Sequence, residues 1–215
     1  MKAILLCTQG NYLYPIYDKK IIDYSIDLLA SFGIKEVIII ISNFTENVSS
    51  LISHIDNNYN LNIVYKYTKN IKDIVYNIEI SKRLISNEDF VLMDANNIFL
   101  DKVKLNKPPF IYISSSSNPE NFNVIEFYGE HIKNIEVKPD NPKSRMVDTS
   151  LAVYPNKIFE VILKLKNKQK VTITNINNYY ASQLGYDIVD NWFCLMSPES
   201  FYAATHKKRL ECHKI

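Results

Sequence analysis

Asp94 closes the apolar run Phe90-Val91-Leu92-Met93, which has the character of a buried strand. In an open α/β sheet the ligand crevice lies at the C-terminal ends of the strands, so a carboxylate there faces whatever binds. The alternative is local: the side chain caps the turn that follows. Gly10 stands in a comparable place. It ends Thr8-Gln9-Gly10 after the first apolar run, Lys2 to Cys7, and marks a tight turn. The other reactive types form no constellation. Cys7, Cys194 and Cys212 are odd in number and far apart, and His54, His131, His206 and His213 are scattered, so neither a disulfide framework nor a zinc site follows. Cys194 reads as a small buried apolar residue and Cys212-His213 as a solvated tail.

These positions need a scaffold, and the apolar pattern supplies one. Ile21, Ile22, Ser25, Leu28 and Leu29 recur at helical spacing after the first strand, and Phe32-Gly33 stops the helix. Val37 to Ile41 is an unbroken β-branched run, as in a central parallel strand buried on both faces. Val48 to Ile55 reads as a helix, Leu61 to Tyr67 as a strand, and Ile71 to Leu84 as a second helix. Past Asp94, the segments Phe110–Ser114, Val124–Tyr128, Ile132–Val137 and Leu151–Tyr154 read as strands. Asn156–Leu165 and Asn175–Leu184 read as helices, and Tyr186–Phe193 as a last strand. The expected fold is α/β: a Rossmann-like, doubly wound, mostly parallel mixed sheet with helices on both faces, in one domain spanning 1–215.

A net charge of +2 lacks the basic excess of a nucleic-acid binder. The longest apolar stretch, Val37 to Ile41, is far too short to span a membrane. Met1-Lys2-Ala3-Ile4-Leu5-Leu6-Cys7 reads as a strand and not as a secretion signal, so a cytoplasmic setting is expected.

Several segments, in order, resemble the sugar-1-phosphate nucleotidyltransferases of the glucose-1-phosphate thymidylyltransferase type. Tyr14-Pro15-Ile16-Tyr17-Asp18-Lys19 is similar to that family's L-P-[IV]-Y-D-K-P, and Val91 to Phe99 to its L-V-L-G-D-N-I-F. Ile135-Glu136-Val137-Lys138-Pro139 resembles I-E-E-K-P, and Pro142-Lys143-Ser144 the P-K-S after it. Leu151-Ala152-Val153-Tyr154 falls on a G-L-Y-x-Y strand, and Val171 to Asn177 on L-E-I-T-D-V-N. Trp192 to Ala204 resembles W-L-D-T-G-T-x-x-S-L-x-x-A.

The resemblance implies a reaction in which a sugar phosphate attacks the α-phosphorus of a nucleoside triphosphate and pyrophosphate leaves. Catalysis is then positioning and charge neutralisation by a Gly-rich loop, a basic pair and Mg²⁺ on carboxylates. It places Asp94 at the first Mg²⁺ carboxylate, and Lys138 beside the phosphates as a catalytic cation. Gln9, Gly10, Asn11, Asp73, Lys138 and Arg145 become the nucleotide and substrate contacts. Several family residues are replaced. The G-G-x-G-T-R-L loop shrinks to Thr8-Gln9-Gly10-Asn11, and Asn11 stands at its lysine. The second metal carboxylate falls on Cys194, a sugar-reading glutamate on Val137, another on Lys170, and a glycine on Ser150. Asp73 falls near a glycine of the base-reading stretch.

The expectation is a diverged family member that binds nucleotide or nucleotide sugar in surface-glycan metabolism with catalysis lost or reduced. It would act alone, as a homo-oligomer, or beside an active paralogue. Tyr12, Tyr14, Tyr17, Tyr179 and Tyr180 are either aromatic walls for a ligand or ordinary half-buried tyrosines. The alternative is a working transferase that joins a nucleotide from CTP or dTTP to a sugar phosphate, with Lys19, Lys20, Lys143 or Arg145 replacing the lost cations. Two further readings are a glycosyltransferase, with Asp94-Ala95-Asn96 as a weakened D-x-D, and a purely structural subunit.

Overall fold

The computed structural model describes residues 1–71, 73–195 and 197–212, with the side chains at 211 and 212 left out. Strand β1 (Lys2–Gly10) runs past Cys7 and takes in Thr8-Gln9-Gly10, which the pattern had made a turn. Its extension is held by neighbours distant in sequence: the Ser42 hydroxyl donates to the Thr8 carbonyl and the Thr45 hydroxyl to that of Cys7. A short hairpin, β2 (Pro15–Ile16) and β3 (Lys19–Lys20), leads to α1 (Ile21–Ser31). Gly33, at φ 73°, supplies the left-handed residue that ends that helix. Next come β4 (Glu36–Thr45), α2 (Val48–Asn58) and β5 (Asn62–Thr68).

Helix α3 (Ile74–Ile85) precedes β6 (Phe90–Asp94) and β7 (Asn97–Phe99). Strands β8 (Phe110–Ser115), β9 (Asn123–Tyr128), β10 (His131–Val137) and β11 (Met146–Tyr154) follow, then helices α4 (Ile158–Lys166) and α5 (Ile173–Tyr180). The expected strand over 186–193 is two strands, β12 (Gly185–Ile188) and β13 (Trp192–Cys194). The break falls at Asn191, whose backbone N–H and side-chain amide both bond to Asp101, at 2.7 and 2.6 Å. A last helix, α6 (Pro198–Cys212), had no apolar periodicity to announce it. Of the expected tail, Cys212 ends this helix and His213 lies outside the described residues.

The expected α/β class holds, with a mixed sheet and helices. The chain divides into two compact units, residues 1–71, 93–104 and 191–215 in one, and 72–92 and 105–190 in the other. In the first, the strand order is β1-β4-β5, with β4 parallel to both β1 and β5. Ile39 and Ile40 of β4 are wholly buried, each worth roughly 1.5–3 kcal/mol. Two-sided burial is what the unbroken Val37–Ile41 run required. In the second unit the order is β10-β9-β11, and β8 pairs antiparallel with β11 and parallel with β12. Its core stacks Phe90 on Phe159 at 6.2 Å and on Tyr154 at 5.9 Å.

Candidate functional site

In the first unit, the end of β1 passes toward the β2–β3 hairpin and α1 through a turn, Gly10 to Tyr14, too short to wrap a phosphate chain. Gly10, at φ 93°, turns the strand, and its carbonyl accepts from Glu46 N–H at 2.9 Å. Three of the turn's own donors are spent internally. Gln9 N–H reaches the Tyr12 hydroxyl at 3.2 Å, Leu13 N–H reaches Asn11 Oδ1 at 3.0 Å, and Tyr14 N–H reaches the Asn11 carbonyl at 3.3 Å. A phosphate cradle needs several N–H groups converging on open space. Here a side chain fills that role: Tyr12 is buried to 1% exposure and its hydroxyl also meets the Asn96 side chain.

Asp94 ends β6 next to β1, where Ala95 N–H donates to the Leu6 carbonyl at 3.0 Å. Its Oδ1 accepts from Asn96 N–H at 3.0 Å, the turn-capping geometry. Burial pushes its carboxyl up to about 6, and the Asn96 N–H offsets only part of that. The Cys7 thiol is pushed well up by burial and then by Asp94, and the Tyr12 hydroxyl likewise by burial, Cys7 and Asp94. The carboxylate thus sits among neutral, proton-holding groups, Cys7 and Tyr12.

The turn after Asp94 is joined to the chain's far end. Strand β13 pairs antiparallel with β7, setting Cys194 opposite Asn97, and Leu195 N–H donates to the Asn96 carbonyl at 2.8 Å. The half-buried Cys194 therefore stands across from the Asp94 turn, the place the resemblance gives to a second carboxylate. Mg²⁺ wants several hard oxygens in octahedral array. One carboxylate already engaged by a backbone N–H, opposite a thiol, does not fit that ion. Among the described residues no group of three His, Cys, Asp or Glu side chains is placed to hold a metal. Beside this turn, Tyr14, Leu195, Ser197, Pro198 and Phe201 line an apolar cavity of about 410 Å³, with Tyr14 edge-on to Phe201 at 5.3 Å.

Gln9, Gly10, Asn11 and Asp94 are thus gathered in the first unit, while Asp73, Lys138 and Arg145 fall in the second. Asp73 caps α3, its side chain accepting from Tyr76 N–H at 2.9 Å. Lys138 is exposed in a left-handed backbone conformation, φ 41°, directly before Pro139. Non-glycine residues held there mark strain that surrounding structure must impose. Ser150, at the glycine position of the resemblance, is left-handed too, at φ 61°. Of the four spare cations, Lys19 is 2.5 Å from Asp27, Lys20 meets His54, and Lys143 is 3.8 Å from Glu126. Lys138 and Arg145 have no ion-pair partner among the described residues.

The second unit also holds a carboxylate the sequence reading passed over. Asp148, on β11, is buried at 9% exposure and pushed up to about 6 by burial, its Oδ1 accepting from Ser150 N–H at 2.9 Å. No alternation could have signalled it, because Val147, Asp148 and Thr149 are buried in succession where the β8–β11 register shifts.

Comparison with known proteins bears on this geometry. The family model for nucleotidyl transferases matches residues 7–209. A glucose-1-phosphate thymidylyltransferase of Neisseria meningitidis is 25% identical over 184 residues, covering 80% of this chain and 64% of that relative. The chain therefore spans a little under two thirds of that relative's length. Among solved structures, a Bacillus anthracis protein assigned as a glucose-1-phosphate thymidylyltransferase and solved with sucrose superposes with a TM-score of 0.85. It is 21% identical, with 97% of this chain and 95% of that one covered. The inositol-1-phosphate CTP transferase of T. maritima gives 0.73 at 16% identity, covering 96% and 95%.

Proposed function

The chain belongs to the nucleotidyl transferase family, and from that premise we propose a diverged member in which nucleotidyl transfer is lost or strongly reduced and binding is kept. Its ligand is a nucleotide or nucleotide sugar, and its setting nucleotide-sugar or surface-glycan metabolism in the cytoplasm. Residues 1–215 act as one domain, alone, as a homo-oligomer, or beside an active paralogue.

The observation that carries this reading is the β1–α1 turn. Gln9, Leu13 and Tyr14 spend their N–H groups on Tyr12 and Asn11, which withholds three donors from a backbone cradle for a triphosphate. Cys194 opposite the Asp94 turn removes the charge that would hold Mg²⁺ against it. In-line attack at phosphorus depends on such fixed charges, each commonly worth about 2.7–4 kcal/mol. What persists supports binding. In the first unit Gly10 and Asn11 edge the crevice end of β1 and Asp94 can accept a hydroxyl hydrogen bond; in the second, Lys138 and Arg145 have no ion-pair partner among the described residues and suit phosphate.

The deciding experiment is a thermal-shift panel of nucleoside triphosphates and nucleotide sugars, each with and without Mg²⁺. A nucleotide sugar that stabilises the chain equally in both conditions is the expected result. At about 100 times its dissociation constant it adds roughly 2.7 kcal/mol. Stabilisation by a triphosphate only with Mg²⁺, followed by pyrophosphate release with a sugar phosphate, would overturn the reading. That outcome favours the active alternative, from CTP or dTTP, for which unpaired Lys138 and Arg145 are the supporting observation.

A further inference from the structure

On the outer side of the first unit, α1 and α2 carry a second polar site that takes no part in the reading above. His54 of α2 places Nε2 2.6 Å from Asp23 Oδ1, and Tyr59 donates its hydroxyl to the same oxygen at 2.8 Å. Lys20 N–H fills the other carboxylate oxygen at 2.9 Å. At the opposite edge of the ring, Nδ1 is 3.0 Å from Lys20 Nζ and 3.2 Å from Asn58 Nδ2. Ammonium and amide nitrogens only donate, so Nδ1 must accept both bonds. The ring is therefore neutral, with its proton on Nε2 directed at Asp23.

A shallow cavity of about 440 Å³ opens on this edge, lined by Lys20, Ser49, Ser50, Ser53, His54, Asn57 and Asn58. Every one of these side chains can donate a hydrogen bond, and no carboxylate is in the lining. Asp23 lies behind the ring. Asp27 is taken by Lys19 at 2.5 Å, and Asp56 accepts from Tyr65 at 2.9 Å. A lining of hydroxyls, amides and one ammonium, with no carboxylate in it, is complementary to an oxyanion. The room exceeds what a bare phosphate fills, and the remaining wall is hydroxyl and amide.

We propose that this cavity binds the phosphate of a small phosphorylated polyol, with Lys20 and His54 on the phosphate and Ser49, Ser53 and Asn57 on the hydroxyls. On binding, Lys20 swings from Nδ1 to the phosphate, and the phosphate monoanion gives its proton to Nδ1 and becomes the dianion. The imidazolium then donates to the phosphate from Nδ1 and to Asp23 from Nε2. Burial works against ionised Asp23, yet its bonds from His54, Lys20 N–H and Tyr59 hold the carboxyl below its ordinary value, ready to stabilise that cation.

The test uses ¹⁵N-histidine-labelled full chain, titrated with glycerol 3-phosphate and separately with inorganic phosphate. The free chain is expected to show His54 as the neutral Nε2–H form, and glycerol 3-phosphate to convert it to imidazolium. K20S keeps the helix cap, since serine favours that position. It should weaken binding on the order of tenfold, while K20R retains it. An unchanged His54 spectrum, or equal affinity in K20S, would overturn the site. Inorganic phosphate binding as tightly as glycerol 3-phosphate would overturn the polyol assignment. Nucleotide binding in the thermal-shift panel is read independently of all these outcomes.

Discussion

The indole Nε1 of Trp192 donates to Oδ1 of Asn97 at 2.9 Å, joining residues 95 positions apart. Asn97 is buried at 3% exposure, and its Nδ2 in turn donates to the Asp94 carbonyl at 3.2 Å. Strand β13 is thereby fastened to the turn that aims the Asp94 carboxyl. Trp192→Phe keeps most of the apolar contact but leaves a buried amide oxygen without its donor. A loss of about 1–3 kcal/mol is expected. Urea unfolding followed by far-UV circular dichroism measures it, since the variant lacks the chain's single tryptophan. An unchanged midpoint would mean the turn is held without this bond.

Stability should fall as pH rises from acid to neutral through the combined action of Asp94 and Asp148. Burial sets both carboxyls to about 6 in the folded chain, against 3.8 for the ordinary value. Between these values the folded state binds more protons than the unfolded one. The stabilisation is full below about pH 4 and lost as pH passes 6, at roughly 3 kcal/mol per group. Asp23 acts in the opposite sense, its contribution being lost only on acidification below the ordinary carboxylate range. The change in stability between pH 4.5 and 7.5, compared between wild type and a variant lacking both carboxyls, isolates this pair. The D94N/D148N variant should show a much smaller difference between the two pH values than wild type, and an equal difference would refute the assignment.

The parts of the fold that were legible in the sequence are those set by local apolar pattern. Val37 to Ile41 announced a two-sided buried strand, and Phe90 to Met93 announced the strand that delivers Asp94. The unforeseen features rest on partners remote in sequence. Thr8 and Gln9 are polar and read as a turn, yet hydroxyls of Ser42 and Thr45 extend β1 through them. Asp101 divides the expected last strand from 90 residues away. Helix α6 spreads its apolar residues around its axis, so periodicity gave no signal. The candidate site residues could be named from the sequence, but their geometry could not. Nothing local told that Tyr12 would occupy the donors of its own turn, or that Lys20, a candidate replacement cation, would lie on His54.

Gly185 is a tight spot in the second unit. It pairs with Phe110 in the β8–β12 ladder, and a Cβ there would stand 2.5 Å from Phe110 Cδ2. That contact forces the ring from its place against Tyr112, 5.3 Å away. Gly185→Ala should cost about 1–3 kcal/mol, and Phe110→Leu in the same chain should recover part of it. Chemical denaturation of the two single variants and the double variant reads the coupling. Strict additivity would place the strain elsewhere.

Cys194→Asp tests directly what separates this chain from metal-dependent transfer. Cys194 faces Asn97 across the β7–β13 ladder, beside the turn that begins at Asp94, so an aspartate there sets a second carboxylate near the first. Without metal the two repel, Asp94 is driven to hold its proton still more firmly, and the variant should be less stable than wild type near neutral pH. With Mg²⁺ the pair supplies the oxygens and charge that a carboxylate and a thiol lack. The expected result is a melting temperature that rises with Mg²⁺ in the variant and does not move in wild type. A gain of roughly 2.7 kcal/mol is due once Mg²⁺ reaches about 100 times its dissociation constant. Adding D94N should abolish the response, because both carboxylates are then needed. A wild-type chain that already responds to Mg²⁺ would show that Cys194 was never the missing ligand, and the case for lost catalysis would then rest on the β1–α1 turn alone.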